Sequence, residues 1–457
     1  MSNPQTIFAL ASASGRAGVA VIRVSGPEAG RALAKLTEAE ALPRRAVYTR
    51  LSDPASGDAL DDGLVIWFPA PASFTGEDVA EFHVHGGPAV IAGVLGALSG
   101  LDGLCMAEPG EFTRRAFENG KMDLTAAEGL ADLIEAETAA QRRQALRQLE
   151  GELGRVYETW RERLLSAVAH NEAAIDFSDE DLPEGLVAAA RDEIAALEQE
   201  IAGHLKDNRR GERLRGGLLI AIIGPPNAGK SSLLNLFARR DAAIVSETAG
   251  TTRDVIEVHL DLGGYPVTVA DTAGLRESGD SVEIEGVRRA RLKAEDADLR
   301  LAVFDGAAWP ETDPSTSGLV DGNTLAIINK SDLGAPQLGK SGPPLDINGQ
   351  PALAVSAKTG DGIDDLLVRI SERVGAMMDV GGSSAPALTR ARHREALEQC
   401  RTALGRYLEG PAQGLPASPE LAAEDLRLAA RALGRITGRV DVDDILDVIF
   451  RDFCIGK

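Results

Sequence analysis

The chain has 457 residues and a formal net charge of −22. It is long enough for two to four domains at roughly 100–200 residues each, and too acidic to bind polyanions through its overall field, so any nucleic-acid contact needs a local basic patch. Cys105, Cys400 and Cys454 are widely spaced, with no Cys-x-x-Cys pair, which excludes a disulfide framework or a zinc module and fits a reducing compartment.

No charged leader precedes the first apolar stretch, and no apolar run reaches the ~18 residues of a membrane span. The expectation is a cytoplasmic protein with no membrane partner. Residues 1–120 mix short apolar strands with Gly and Pro punctuation, as in Gly18–Ser25, Gly63–Pro69 and Val79–His85; this is the texture of an α+β domain. From Asp123 to about Gly211, apolar residues recur at helical spacing, as in Glu128–Leu149 and Val187–Leu205. This predicts the first part of a helical domain, residues 121–215. Strands and helices then alternate over residues 216–378, predicting a mostly parallel sheet with flanking helices. A Gly/Ser/Pro stretch, Gly381–Pro386, leads into a second helical pattern, Leu388–Phe453, within a segment expected to run over residues 379–457. The expected fold is thus multidomain α/β and α. An N-terminal α+β domain precedes a helical domain into which an α/β P-loop domain is inserted.

Gly224-Pro225-Pro226-Asn227-Ala228-Gly229-Lys230-Ser231 matches G-x-x-x-x-G-K-S between an apolar strand, Leu218–Ile223, and a helical run, Ser232–Arg240. Such a loop wraps backbone N–H groups around phosphate oxygens at a helix N-terminus. Lys230 is expected on the β- and γ-phosphates and Ser231 on Mg²⁺. Asp271-Thr272-Ala273-Gly274 follows the strand Val267–Ala270 and fits the D-x-x-G segment that senses the γ-phosphate. Asn329-Lys330-Ser331-Asp332 follows Leu325–Ile328. A carboxylate at Asp332 can accept from the ring N–H and exocyclic amine of guanine, a donor pair that adenine lacks. Ser356-Ala357-Lys358 follows Ala352–Val355 and fits the loop behind the base. Four motifs in order at strand ends predict a GTPase. In Gly250-Thr251-Thr252-Arg253-Asp254, one threonine should reach Mg²⁺, and motif position favours Thr252. Leu275 stands where small GTPases carry a water-orienting Gln, and leucine cannot hold a water. Arg276, Glu277, Asp280, Glu283 and Glu285 are polar candidates for that role, among which composition does not choose.

These blocks carry a resemblance that covers the whole chain. Pro226–Asn235, Ala249–Asp254 and Asp271–Arg276 are similar to the MnmE (TrmE) family of bacterial tRNA-modification GTPases. So are Phe74-Thr75-Gly76-Glu77-Asp78, His85-Gly86-Gly87-Pro88, Pro109-Gly110-Glu111-Phe112, Lys121-Met122-Asp123-Leu124 and the closing Phe453-Cys454-Ile455-Gly456-Lys457. The resemblance implies a homodimer held through the N-terminal domain, and GTPase domains that pair when K⁺ is bound. It places K⁺ at Asn227 and in the loop Ser246–Thr251, with Ser246, Thr248 and Thr251 as contacts, and the water-orienting role at Glu283. It extends the GTP site over Asn227, Ala228, Gly229, Lys230, Ser231 and Ser232, the loop Ser246, Glu247, Thr248, Ala249, Gly250, Thr251 and Thr252, and Thr272, Ala273 and Gly274. It implies an N-terminal domain like the folate-binding domain of aminomethyltransferases, with Arg23, Glu81, Lys121 and Lys457 as folate contacts. It further implies a reduced folate (5,10-methylene-tetrahydrofolate or a 5-formyl analogue), tRNA, and a flavoprotein partner, MnmG (GidA), that carries FAD. Partner and chain would form a heterotetramer or larger complex and add an aminomethyl-type group to C5 of the tRNA wobble uridine.

Other signals are weaker. Cys454 is a candidate nucleophile, although free cysteines are commonly inert. His83 and His85 alternate on one strand face with no third metal ligand in view. Arg142, Arg143, Arg147, Arg155, Arg161 and Arg163, and separately Arg390, Arg392, Arg394, Arg401 and Arg406, are candidate phosphate contacts or simply solvated helix faces. Two other functions compete with the leading one: a ribosome-assembly or switch GTPase without modification chemistry, and a stand-alone folate aminomethyltransferase.

Overall fold

In a computed structural model the chain divides into two compact units. The first comprises Met1–Ala131, Arg147–Leu197 and Gln399–Lys457, the second Asp132–Leu146 and Glu198–Glu398. The residues described are 5–38, 40, 42–176, 186–240, 243, 257–271, 297–333, 346–378, 386–409, 419–440, 443–451, 453, 455 and 456.

The first unit is built on a six-stranded sheet. Its strands are β1 (Thr6–Leu10), β2 (Ala17–Ser25), β3 (Val47–Ser52), β4 (Ala59–Phe68), β5 (Val79–Gly86) and β6 (Leu104–Met106), in the order β3-β4-β5-β2-β1-β6. Only β1 and β6 pair in parallel among these neighbours. Alternation sets the two faces. Ile22 and Val24 of β2 and Phe82 and Val84 of β5 are buried in one core with Leu33, Leu36, Val94 and Leu98 of the helices Ala29–Leu36 and Pro88–Ser99. The intervening residues face the other way, where register places Arg23 opposite Glu81.

The remainder of this unit is helical. Leu124 and Ala127 of the helix Leu124–Glu135 share a core with Phe450 and Phe453. Asn171 of the helix Glu152–Asp176 accepts at 2.9 Å from the Tyr407 hydroxyl. Ile455 and Gly456 return to the sheet. Ile455 bridges Pro109, and Gly456, at φ 96°, lies so close to β1 that a Cβ would sit 2.1 Å from the Leu10 carbonyl oxygen.

The second unit contains a seven-stranded sheet: β7 (Leu218–Ile223), β8 (Glu257–Leu262), β9 (Tyr265–Asp271), β10 (Leu299–Asp305), β11 (Thr324–Asn329), β12 (Asp346–Ile347) and β13 (Gln350–Ala354). The order is β12-β13-β11-β10-β7-β9-β8, parallel through its centre and antiparallel at both ends. Its central strands are apolar on both faces, as a covered parallel sheet requires. Ile220 and Ile222 pack with Leu233 and Phe237 and with Leu366, Ile370 and Val374, while Ala221, Ile223 and Phe304 lie in a separate core with Val320. The helix Ile363–Met378 earns its place by spacing: Ile363, Leu366, Ile370, Val374 and Met378 are its buried positions.

The sequence reading and the fold differ at several boundaries. The run Glu128–Leu149 is two helices, Leu124–Glu135 and Ala139–Leu149. Thr138 starts the second: its hydroxyl accepts from Gln141 N at 3.3 Å, and Gln141 Oε1 accepts in return from Thr138 N at 3.0 Å. This reciprocal cap ends a periodicity that apolar spacing alone carries through. The helix after the P-loop is Lys230–Phe237, earlier than expected, because Gly229 already caps it.

Candidate functional site: a phosphate loop, a base pocket and an N-terminal ion pair

The P-loop joins β7 to the helix Lys230–Phe237. Its conformation explains its glycines. Gly229 has φ 95°, and a Cβ there would lie 2.1 Å from Asn329 Nδ2; at Gly224, φ 151°, a Cβ would lie 2.3 Å from the Val303 carbonyl oxygen. Asn227 adopts the left-handed region as well, at φ 63°, a conformation Asn tolerates better than most side chains. The Lys230 ammonium is buried and donates to the carbonyls of Gly224 at 2.7 Å and Pro225 at 2.8 Å. It is therefore held inside the loop whose N–H groups would meet phosphate. Ser231 Oγ donates to Asp271 Oδ2 at 2.7 Å, so the helix start and the end of β9 bring a hydroxyl and a carboxylate together. Hard oxygens of this kind suit Mg²⁺, which keeps phosphate and water for its other ligands.

The candidate base side is assembled from the ends of β11 and β13. Asn329 is buried and braces three loops: its Nδ2 donates to the Ala228 carbonyl at 2.8 Å, its Oδ1 accepts from Ala357 N at 3.0 Å, and it ends β11. Asp332 Oδ1 accepts from Ser356 Oγ at 2.7 Å, and Lys358 Nζ stands 4.0 Å from Asp332 Oδ2. The carboxylate is thus held in one orientation by its neighbours. Lys330, at φ 64°, donates to Asp305 Oδ2 at 2.7 Å. Burial alone would raise the Asp305 pKa, but the Lys330 ammonium and the Ala307 amide outweigh it and hold the carboxyl below its ordinary value. Sequence reasoning passed over Asp305. The available signal was an apolar run, Leu301–Phe304, closing on Asp-Gly.

In the first unit, Arg23 Nε and Nη2 lie 3.0 and 2.9 Å from Glu81 Oε1. The Arg23 guanidinium is 5.3 Å from the Phe74 ring centroid and 5.7 Å from that of Phe112. Glu81 Oε2 is 3.3 Å from His83 Nε2. Burial pushes the Glu81 carboxyl up, yet the His83 hydrogen bond and the Arg23 charge bring its pKa below the usual range. His83 is therefore a partner of Glu81, and His85 is a partner of Asp61 at 2.9 Å; among the described residues no group of three or more metal-ligating side chains occurs. Lys121 Nζ donates to the Pro71 carbonyl at 2.9 Å and lies beside Gly76. The Phe74–Asp78 loop is fixed by Ser25, whose hydroxyl is 2.7 Å from both Thr75 Oγ1 and Glu77 Oε2, and by Arg115, 3.2 Å from Glu77. Sequence analysis had not given Ser25 or Arg115 this bracing role.

Comparison with known proteins converges on one family. The pattern of the GTP-binding protein TrmE N-terminus matches residues 6–121, and that of the MnmE helical domain matches residues 124–454. The chain is 58% identical over 454 residues to a tRNA modification GTPase MnmE of Paramagnetospirillum magneticum, covering 99% of this chain and all of that one. The chain belongs to the tRNA modification GTPase MnmE family. A second bacterial member, from Parvibaculum lavamentivorans, is 58% identical over 460 residues, 99% of this chain and 100% of that one. The human mitochondrial 5-taurinomethyluridine-[tRNA] synthase subunit GTPB3 is 51% identical over 471 residues, 99% of this chain and 93% of that protein.

Of the residues expected to act in this family's chemistry, the structure brings together Lys230, Ser231, Asp271, Asn329, Asp332 and Ser356 along the strand ends of one sheet. Ser246 to Thr252, Thr272, Ala273, Gly274, Leu275, Glu283, Cys454 and Lys457 lie outside the described residues. Several candidate phosphate-binding arginines already hold carboxylates: Arg161 with Glu158, Arg163 with Glu193, Arg394 with Asp207, and Arg406 with Asp425. No helix among the described residues is long and apolar enough to cross a membrane.

Proposed function

We propose that the chain is a K⁺-activated GTP hydrolase. In this reading its cycle drives, with the flavoprotein MnmG (GidA), addition of an aminomethyl-type group to C5 of the tRNA wobble uridine. The observation that carries the GTP part is the pre-oriented Asp332 carboxylate, set by Ser356 on the same sheet edge that places Lys230 and the Ser231–Asp271 pair. Lys230 would turn from the loop carbonyls to the β- and γ-phosphates. Ser231 and Thr252, with Asp271 behind Ser231, would hold Mg²⁺, which supplies charge neutralisation at the phosphates when bound. Asn227 is exposed in the P-loop at a left-handed position. With Ser246, Thr248 and Thr251 it would hold K⁺, which when bound supplies the positive charge otherwise given by an arginine finger. Glu283 would orient the attacking water, since Leu275 cannot.

In the N-terminal domain we assign Glu81 as acceptor for the amino-pyrimidine ring of a reduced folate. Both contact nitrogens of Arg23 face Glu81. Arg23 therefore serves to position Glu81, which leaves Lys121 as the carboxylate partner for the glutamate tail and Lys457 as a further folate contact. The domain order of the reading is an N-terminal folate and dimerisation domain at 1–120, helical segments at 121–215 and 379–457, and the GTPase domain at 216–378. The test has two arms. GTP turnover should be at least about tenfold faster in K⁺ than in Na⁺ buffer of equal ionic strength; equal rates remove the K⁺ assignment. Mass analysis should show the wobble-uridine modification missing in a deletion strain and restored by this chain; unchanged nucleosides overturn the tRNA assignment.

A further inference from the structure

Two chain segments far apart in sequence flank the GTPase fold in the second unit, and one carboxylate holds both. The helix Arg210–Gly216 leads directly into β7, and the helix Ala391–Leu408 follows the fold. Asp132, near the end of the helix Leu124–Glu135, accepts at Oδ1 from Arg215 Nε at 2.8 Å and from Arg390 Nη2 at 2.7 Å. Its side chain is only 8% exposed. An exposed ion pair exchanges partners readily, whereas a buried carboxylate shared by two guanidiniums is held to one geometry.

The surrounding contacts tighten the same junction. Gln141 Nε2 donates to the Arg215 carbonyl and Gln144 Nε2 to the Gly211 carbonyl, each at 3.1 Å. Gly211 lies against the Leu388 carbonyl so closely that a Cβ would come within 2.2 Å. Arg394 donates to Asp207 at 2.7 Å and Glu212 at 2.8 Å. From this junction one further ion pair reaches the sheet. Arg213 is 2.9 Å from Asp298, which exchanges hydrogen bonds with the Leu219 backbone at the start of β7. β7 ends at the P-loop. Asp298 directly precedes β10 and closes the stretch of sequence that begins with the D-x-x-G motif and contains Glu283.

We propose that Asp132 is a positioning residue: through Arg215 and Arg390 it locks both segments flanking the GTPase fold to the helix Leu124–Glu135, so that a nucleotide-dependent change in the fold reaches that helix. The helix is shared, with residues through Ala131 in the first unit and Asp132 onward in the second. The inference rests on the reading of the chain as a GTP-binding protein, which a nucleotide titration of the wild type tests by itself.

Amide hydrogen exchange on the full chain, with GDP and with a non-hydrolysable GTP analogue plus Mg²⁺ and K⁺, is the decisive experiment. Amides of 124–135 in the wild type should differ between the two states by about tenfold in exchange rate. Asp132→Asn should bind both nucleotides as the wild type does and lose that difference. A merely structural role would raise exchange equally in both states and leave the difference intact, which overturns the proposal; so does a wild type with no difference. If Asp132→Asn does not fold, Arg390→Gln, which keeps the Arg215 partner, is read in the same way.

Discussion

At the scale of single residues, the proposed base pocket turns on one carboxylate. Asp332 is aimed by the Ser356 hydroxyl at 2.7 Å, and guanine offers it two donors. In Asp332→Asn the amide presents one acceptor and one donor, so the donor pair of guanine is no longer matched, whereas xanthine, with a carbonyl in place of the amine, is. GDP affinity should fall roughly ten- to a hundredfold and xanthosine diphosphate should bind better than to the wild type; titration with a fluorescent analogue of each decides it, and an unchanged preference would sink the assignment. Glu81 makes a pH-dependent prediction. Its folded-state pKa is depressed by His83 and Arg23 against the opposing effect of burial. Its contribution to stability is therefore fully present above the ordinary glutamate value of about 4.3 and is lost as pH falls through the lower folded-state value. Urea unfolding should show Glu81→Gln weaker than wild type at pH 7, with the gap closing on acidification to pH 3; a gap independent of pH contradicts the ion pair. The placement of Asn329 and Asp332 together after one strand was legible because their spacing is local. The Arg23–Glu81 pair was not legible as a pair, because only strand register brings those two residues opposite one another.

At the scale of elements, the P-loop shows why a motif needs its structural surroundings. The loop glycines are fixed by neighbours that sequence spacing does not reveal: Gly229 by Asn329, and Gly224 by Val303 of β10. Gly229→Ala would drive a Cβ to 2.1 Å from Asn329 Nδ2 and force a left-handed backbone on alanine, a strain of about 1–3 kcal/mol before the clash is counted. Relief by moving Asn329 would break its bonds to Ala228 and Ala357. The expected result is GTP affinity at least about tenfold lower with the fold retained, read by calorimetric titration alongside circular dichroism; wild-type affinity would show that Asn329 is not the brace described. The parallel sheet itself was legible, since four of its strands, β7, β9, β11 and β13, are short apolar runs followed by motif residues. Asp305 and the Thr138–Gln141 cap were missed because each acts through a hydrogen bond, and apolar periodicity is silent about hydrogen bonds.

At the scale of the whole molecule, the sequence announced a helical texture on both sides of the α/β segment, but not that compact units would cut across helices at 131/132, 146/147, 197/198 and 398/399. Periodicity reads one helix at a time, and grouping depends on contacts between residues hundreds of positions apart, such as Asp132 with Arg390. The division has a thermodynamic consequence. Each unit has its own sheet and its own apolar core, while every described residue of the proposed nucleotide site lies in the second. GDP with Mg²⁺ at one hundred times its dissociation constant should stabilise that unit by about 2.7 kcal/mol, which for a domain of this size raises its transition by roughly 5–10 °C. Gly456→Ala acts on the other unit: a Cβ at that position would meet the Leu10 carbonyl oxygen at 2.1 Å and should lower only the first unit's transition. Differential scanning calorimetry of the full chain should therefore resolve two transitions that respond separately, one to nucleotide and one to the tail substitution. A single transition moved by both treatments would mean that the units unfold as one body, with the helices they share transmitting stability as well as any nucleotide signal.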